Sequence, residues 1–323
     1  MFELIFLGTS ASAPSIKRGL SSAMVLHKEY RFLIDCGEGT QRQLLKSGLG
    51  FKRMDRILIT HGHLDHILGL GGLMSTFARW ESIDRVEIMG GPWALERVRA
   101  LMNVVFGEGI PPIDIVYTAL EPGIVLQDDS FALIAFPVQH RGPGCFGFTF
   151  YEKEKRPFLV DKAEALGVPA GPERARLVRG ETVRLADGRV VTPDDVLGAP
   201  VGGAKLVFVG DAGSTEGLVS VARQADALVI EATYTDEEAD MARKFGHLTA
   251  SQAARLAAEA DVRLLILTHI SRRYSERQIL DEATPIFPNT VVANDFDTFR
   301  IIKREPDANR QEAATGGQDV IHE

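Results

Sequence analysis

The segment Thr60-His61-Gly62-His63-Leu64-Asp65-His66 constrains this chain more than any other. Four metal-capable side chains fall within six residues, after the strand-like run Arg56-Ile57-Leu58-Ile59 and before a Gly/Leu-rich stretch that reads as a helix. Neutral imidazoles and a carboxylate are the donors that suit zinc and related divalent ions. His61 and His63, two apart, point to the same side of an extended turn and pinch one ion. Asp65 and His66, adjacent at a helix start, swing toward a second. A polar loop with scattered histidines is the plain alternative, but three of the chain's eight histidines stand here beside an aspartate.

With 323 residues and 45% hydrophobic content, the chain can bury a core of one large or two ordinary domains. Two cysteines, Cys36 and Cys145, argue against a disulfide framework and fit a reducing compartment. The opening Met1-Phe2-Glu3-Leu4-Ile5-Phe6-Leu7-Gly8 reads as a strand, not a signal peptide. No apolar run of about 18 residues is present to span a membrane. The expected location is the cytoplasm. A net charge of -8 does not advertise nucleic-acid binding, so a polyanion-binding reading has to locate a local basic patch.

Strands are expected over 2–7, 22–35, 56–60 and near 85–89, 131–136 and 146–151, with helices from Gln41, over 67–79 and from Arg97 to Phe106. From about 152 to 203 the character changes. Pro157, Pro169, Pro172, Pro193 and Pro200 recur without sustained apolar periodicity, which reads as an irregular, flexible insertion. Arg174, Arg176, Arg179, Arg184 and Arg189 lie in it with only Glu173, Glu181 and Asp187 as nearby acids, and this is the basic patch. Strands then recur at 205–210, 227–231 and 264–268, with an Ala-rich helix over 249–260 capped by Thr249. Strands alternating with helices imply sheets covered by helices on their outer faces. The tail, 305–323, is polar and aperiodic and is expected to be disordered.

Three further metal-capable residues end strand-like runs: His140 after Phe136-Pro137-Val138-Gln139, Asp211 after Phe208-Val209-Gly210, and His269 after Ile266-Leu267-Thr268. Each alone is an ordinary turn or packing residue, but with the 61–66 cluster they make a set. His247, in Gly246-His247-Leu248-Thr249, precedes the Ala-rich helix, and Glu231 ends a strand.

The His-x-His-x-Asp-His motif after a strand resembles the metal-binding signature of the metallo-β-lactamase superfamily. The resemblance implies a four-layer αβ/βα sandwich over residues 1–304 and two ions about 4 Å apart. His61, His63 and His140 would hold one, Asp65, His66 and His269 the other, with Asp211 bridging. The absence of a Cys ligand and the presence of His63, where a Glu would suggest di-iron, favour two zinc ions per chain; manganese or cobalt are the other candidates. Asp65 would ligate and also take the proton from the attacking water. His247, oriented by Glu231, would donate to the developing oxyanion or the leaving group.

Phe6-Leu7-Gly8-Thr9, Glu231-Ala232-Thr233, His247-x-Thr249, Thr268-His269-Ile270-Ser271 and Ala293-Asn294-Asp295-Phe296 together resemble the motif series of tRNase Z (ribonuclease Z). This similarity runs to about residue 303. It implies a zinc-dependent endoribonuclease that removes 3′ trailers from precursor tRNA, as a homodimer in which one subunit's arm presents RNA to the other's metals. The insertion at 152–203, with Gly167-Val168-Pro169-Ala170-Gly171-Pro172, resembles that family's exosite arm. A folded tRNA is gripped through shape and phosphates, so Arg174, Arg176 and Arg179 on the arm, and Lys17, Arg18 and Arg273 nearer the metals, are the expected RNA contacts. Two departures stand out. The family's His-Glu-Ala-Thr reads Ile230-Glu-Ala-Thr here, and Pro-x-Lys-x-Arg-Asn reads Pro14-Ser15-Ile16-Lys17-Arg18-Gly19, which bears on how the 3′ end is held. A phosphodiesterase for small or cyclic substrates is the alternative, against which the basic arm argues. An enzyme of acyl substrates is disfavoured by the arm and by the His247/Glu231 pair.

Overall fold

In the computed structural model, which describes residues 1–79, 83–107 and 111–303, strand alternation sorts the apolar side chains onto two faces. Leu206, Phe208, Ala227, Val229 and Ile266 turn to an inner core, while Val207, Leu228, Ile230, Leu265 and Leu267 turn to an outer one. The strands form two seven-stranded sheets. The first is ordered β16 (Thr298–Ile301), β1 (Phe2–Gly8), β2 (Ser22–His27), β3 (Tyr30–Ile34), β4 (Arg56–Leu58), β5 (Arg85–Gly90), β6 (Asp114–Ala119). The second is ordered β15 (Thr290–Val292), β14 (Leu265–Thr268), β13 (Ala227–Glu231), β12 (Lys205–Phe208), β9 (Phe146–Glu152), β8 (Phe131–Pro137), β7 (Gly123–Gln127). Each sheet is antiparallel in one half and parallel in the other; the parallel halves are β3 to β6 and β12 to β15.

The sheets meet face to face over an aromatic core in which Phe2, Phe32, Phe131, Phe148 and Phe150 are fully buried. Phe150 sits edge-on to Phe2 and Phe32, with ring centroids 5.9 and 5.5 Å away. Helices α1 (Thr40–Lys46), α2 (Leu64–Ile67), α3 (Leu70–Phe77) and α4 (Pro92–Phe106) lie along the first half of the chain, and α1, α3 and α4 bury their apolar stripes on the first sheet. Helices α8 (Leu218–Ala222), α9 (Ala239–Phe245), α10 (Ala250–Glu259) and α11 (Glu276–Ala283) follow β12, and α8, α10 and α11 cover the second sheet. The four-layer sandwich is therefore the observed fold. The helix expected over 67–79 is broken at Gly69, where the chain passes so close to Gly37 that a Cβ would lie 2.0 Å from its carbonyl oxygen. Among the described residues no helix is long and apolar enough to cross a membrane.

The segment between β9 and β12 corrects one expectation. Far from irregular, it folds into α5 (Val160–Ala165), α6 (Pro172–Val178), the hairpin β10 (Val183–Arg184) and β11 (Val190–Val191), and α7 (Pro193–Val196). Ala163, Val168, Leu177, Val183, Leu185, Val191 and Val196 form its own small core, separate from the three of the body. Bridges Lys155↔Val201 and Phe158↔Leu197 pinch its base. The tail at 305–323, expected to be disordered, lies outside the described residues.

The inter-sheet aromatic core makes a direct prediction. Phe150→Ala should cost about 3–5 kcal/mol in urea unfolding monitored by circular dichroism; a loss below about 1 kcal/mol would mean that the sheets do not depend on this packing.

Candidate metal centre

The parallel strands of both sheets deliver their carboxyl ends to one edge, the place where open α/β sheets collect ligands. Asp35 follows β3, His61 and His63 follow β4, Asp211 follows β12, Glu231 ends β13, and His269 follows β14. His140 arrives from the turn after β8, and Asp65 and His66 stand on α2. All seven residues expected to hold metal come together. His61, His63 and His140 form one group and Asp65, His66 and His269 another, the ligand atoms of each lying within 4.8 Å of one another.

The distances say which atoms converge. His61 Nε2 lies 2.8 Å from His63 Nδ1, and His140 Nε2 lies 3.2 Å from that same atom. On the other side, Asp65 Oδ2 is 3.9 Å from His66 Nε2 and 3.4 Å from His269 Nε2. Between them stands Asp211, whose Oδ2 is 3.8 Å from His61, 3.9 Å from His140, 3.4 Å from His66 and 3.3 Å from His269.

Partners behind the ligands decide which imidazole nitrogens face inward, since a ring nitrogen that donates outward leaves a lone pair on the other. Asp35 Oδ2 accepts from His66 Nδ1 (2.7 Å) and from Thr60 Oγ1 (2.8 Å), and Thr60 Oγ1 in turn accepts from His61 Nδ1 (3.0 Å). His140 Nδ1 donates to Gly246 O at 2.7 Å. Thr233 Oγ1 donates to Glu231 Oε2 and accepts from His269 Nδ1 (2.9 Å). His61, His66, His140 and His269 are thereby turned Nε2-inward, whereas His63 presents Nδ1. Gly62 lets this turn form: a Cβ there would meet the Trp93 ring at 2.9 Å, and that ring lies edge-on to His63.

Asp211 Oδ1 and His66 Nε2 are buried without a hydrogen-bond partner among the described residues. Such orphans are costly unless something charged meets them. Burial drives the pKa of His61 well below the imidazole range, brings His63 down to about 4 and lowers His140, with neighbouring imidazoles adding to the first two. All three are neutral, as metal ligands must be. Burial works to lower His66 as well, but Asp211 and Asp35 raise it well above its ordinary value. Burial would also raise Asp211 and Asp65, yet His269 and His66 hold both well below the usual carboxylate range. Orphaned buried donors, inward lone pairs and two ionised carboxylates fit a divalent-metal centre.

His247 stands at the rim of the same cluster. Its Nδ1 lies 2.9 Å from Glu231 Oε1, an oxygen that also accepts from Ala212 N at 2.7 Å. Burial alone would lower its pKa, but Glu231 raises it to about 9, so the ring carries a proton at neutral pH. Ile230 does not contribute: it faces away into the helix-side core of the second sheet. Sequence reading missed Asp35, Thr60 and Thr233. Asp35 had the same signal as Asp211, an acid ending a buried strand. Thr60 and Thr233 stand inside the motifs Thr60–His66 and Glu231-Ala232-Thr233, but a hydroxyl is not a metal-capable side chain and drew no role.

The expected RNA contacts divide. Lys17 is exposed and forms no ion pair among the described residues, but Arg18 is turned inward. It donates to Thr9 Oγ1 (2.7 Å), Ala293 O and Asn294 Oδ1 (2.8 Å), bracing its loop against residues 293–294, a different task from the phosphate contact expected of it. Arg273 pairs with Glu238 at 2.8 Å. On the insertion, Arg174 donates to Val168 O and lies over Phe158, while Arg176 and Arg179 share Glu181. Arg189 pairs with Asp187, and exposed Arg184 has no ion pair among the described residues.

Asp35→Asn should weaken divalent-ion affinity by roughly 10–100-fold at unchanged circular dichroism, because the inward orientation of two ligands hangs on that carboxylate. Titration against a competing chelator measures it; unchanged affinity would show that Asp35 does not orient the ligands.

Comparison with known proteins places this geometry. A family model described as Beta-lactamase superfamily domain matches residues 172–270, and one described as Anti-Pycsar protein Apyc1 matches residues 2–98. Ribonuclease Z of Bradyrhizobium diazoefficiens is 50% identical over 297 residues, which cover 92% of this chain and 99% of the relative. Ribonuclease Z of Archaeoglobus fulgidus is 41% identical over 305 residues, covering 93% and 98%. The crystal structure of human tRNase Z, short form, matches with a TM-score of 0.65 at 26% identity, covering 93% of this chain and 99% of the human one. This chain belongs to the ribonuclease Z family, endoribonucleases of the metallo-β-lactamase superfamily.

Proposed function

We propose that the protein removes the 3′ trailer from precursor tRNA by hydrolysis of one phosphodiester bond, with two zinc ions per chain. The observation that carries this reading is a complete set of seven convergent donors in a chain similar over nearly its whole length to ribonuclease Z. Imidazole and carboxylate donors without thiolate suit zinc, and manganese or cobalt fit the same set. When bound, the ions supply Lewis acidity and a water acidified toward neutrality. Asp65 takes the proton of the attacking water. Its Oδ2 also accepts from Ser12 N at 2.9 Å, which fixes the carboxylate toward the centre. His247, protonated and held by Glu231 through Nδ1, keeps Nε2 for the departing ribose oxygen or the charge that develops on phosphorus. Glu231 acts as a positioning residue whose two oxygens serve His247 and, through Thr233, His269.

Residues 152–203 serve as the exosite arm. The ion pairs of Arg176 and Arg179 with Glu181 are exposed to solvent and screened by it, so these arginines exchange readily for RNA phosphates. The enzyme works as a homodimer in which the arm of one subunit serves the metals of the other. Its two free, buried cysteines fit the reducing cytoplasm, where we place it.

Purified protein incubated with a 3′-extended precursor tRNA and with an unfolded RNA of equal length should cut only the folded substrate, at its 3′ junction, and chelator should abolish the cut. Asp65→Ala should lower the rate roughly 10²–10⁴-fold; small chromogenic phosphodiesters cleaved without any tRNA cleavage would sink the reading. Replacing roughly 157–195 with a short linker should cripple tRNA cleavage and spare the small substrate. Mixing that deletion with Asp65→Ala subunits should restore tRNA cleavage, since hybrid dimers pair an intact arm with an intact centre; no recovery would contradict action across subunits.

A further inference from the structure

The loop at residues 12–19 separates the metal centre from a second concavity. At one end Ser12 N is bonded to Asp65, and at the other Gly19 N donates to Asp295 Oδ2 at 2.6 Å, an atom that also accepts from Gln43 Nε2 of α1 at 2.7 Å. On the far side lies a cleft of about 430 Å3 lined by Lys17, Arg42, Lys46 and Phe296. The three cations are exposed, and none forms an ion pair among the described residues. Glu38 is the opposing charge in the lining; Asp295 also lines the cleft, but its oxygens are engaged by Thr9, Gly19 and Gln43.

Phe296 is the unusual member. It is 40% exposed and held at φ 72°, in the left-handed region that a bulky side chain adopts at a cost. Its N–H is fixed to Phe6 O at 2.7 Å, so the ring is presented from the end of the first sheet. Unpaired cations around an exposed ring are how single-stranded nucleic acid is held: phosphates on the cations, a base on the aromatic face. Neither Arg42, Lys46 nor Phe296 belongs to the metal centre.

We propose that this cleft receives the single-stranded 3′ extension of the substrate beyond the scissile phosphate. This rests on precursor tRNA being the substrate. The acceptor stem on the other side of the cut is base-paired, and it is the extension whose bases are free to unstack onto Phe296.

The test is steady-state kinetics on precursor tRNAs bearing either a single-nucleotide extension or one of about eight nucleotides, a length chosen to fill a single-strand site. Wild type should show the lower KM for the longer extension. R42A/K46A and F296L should each raise that KM roughly tenfold, to the short-extension value, with kcat unchanged and the double variant less sensitive to salt. Hydrolysis of a small chromogenic phosphodiester should be unaltered in both variants, which controls for fold and metal. Equal KM changes on both lengths, or none on either, would overturn the proposal while leaving tRNA cleavage standing. If wild type cut no precursor tRNA, the substrate reading would fail first. Fluorescence anisotropy with a free single-stranded oligoribonucleotide of the same length would then decide the cleft: weaker binding by both variants supports it and equal binding refutes it.

Discussion

One carboxylate oxygen organises this molecule. Asp211 Oδ2 lies between 3.3 and 3.9 Å from imidazole nitrogens of His61, His66, His140, His247 and His269, at a buried site where charge cannot be left to water. Five rings do not gather round one carboxylate for packing. His61, His66, His140 and His269 turn Nε2 inward with their other nitrogens tied to Thr60, Asp35, Gly246 and Thr233, His247 is held at the rim through Nδ1 by Glu231, and Asp211 Oδ1 has no hydrogen bond among the described residues. Positive charge placed among these groups satisfies them.

That arrangement needs the sandwich. Neither sheet alone carries the set: the first brings Asp35 and the 61–66 cluster, and the second brings His140, Asp211, Glu231 and His269. The aromatic core between the sheets is therefore what brings the two half-sites together, and stability and chemistry share it. Glu231 extends the same economy outward, because one buried carboxylate serves His269, through Thr233, on one oxygen and His247, the proton donor of the proposed reaction, on the other.

The convergence of the seven candidate ligands was legible in sequence because they sit at ends of buried strands or in one dense motif, and both leave local marks. Strands β6 and β7 left none. They are sheet-edge strands with half-exposed side chains, and their apolar pattern is too weak to stand out. The insertion read as irregular because its core is only seven small-to-medium residues gathered from short elements, with no period long enough to see. Its arginines read as a basic patch because composition counts charges but does not show that Glu181 and Asp187, already noted as nearby acids, pair with three of them. Arg18 misled for the same reason: a cation in a loop looks free until the chain at residues 293–294 closes round it. Ile230 shows the converse, since strand alternation alone turns that position away from the site whatever residue stands there.

The central claim is that Asp211 bridges two divalent ions, one held by His61, His63 and His140 and the other by Asp65, His66 and His269. Anomalous diffraction at the zinc edge, from crystals grown with excess zinc, addresses it most directly. Two strong peaks flanking Asp211, each within bonding reach of one ligand group, are the predicted result. A single peak at full occupancy, or peaks away from these side chains, would contradict the account.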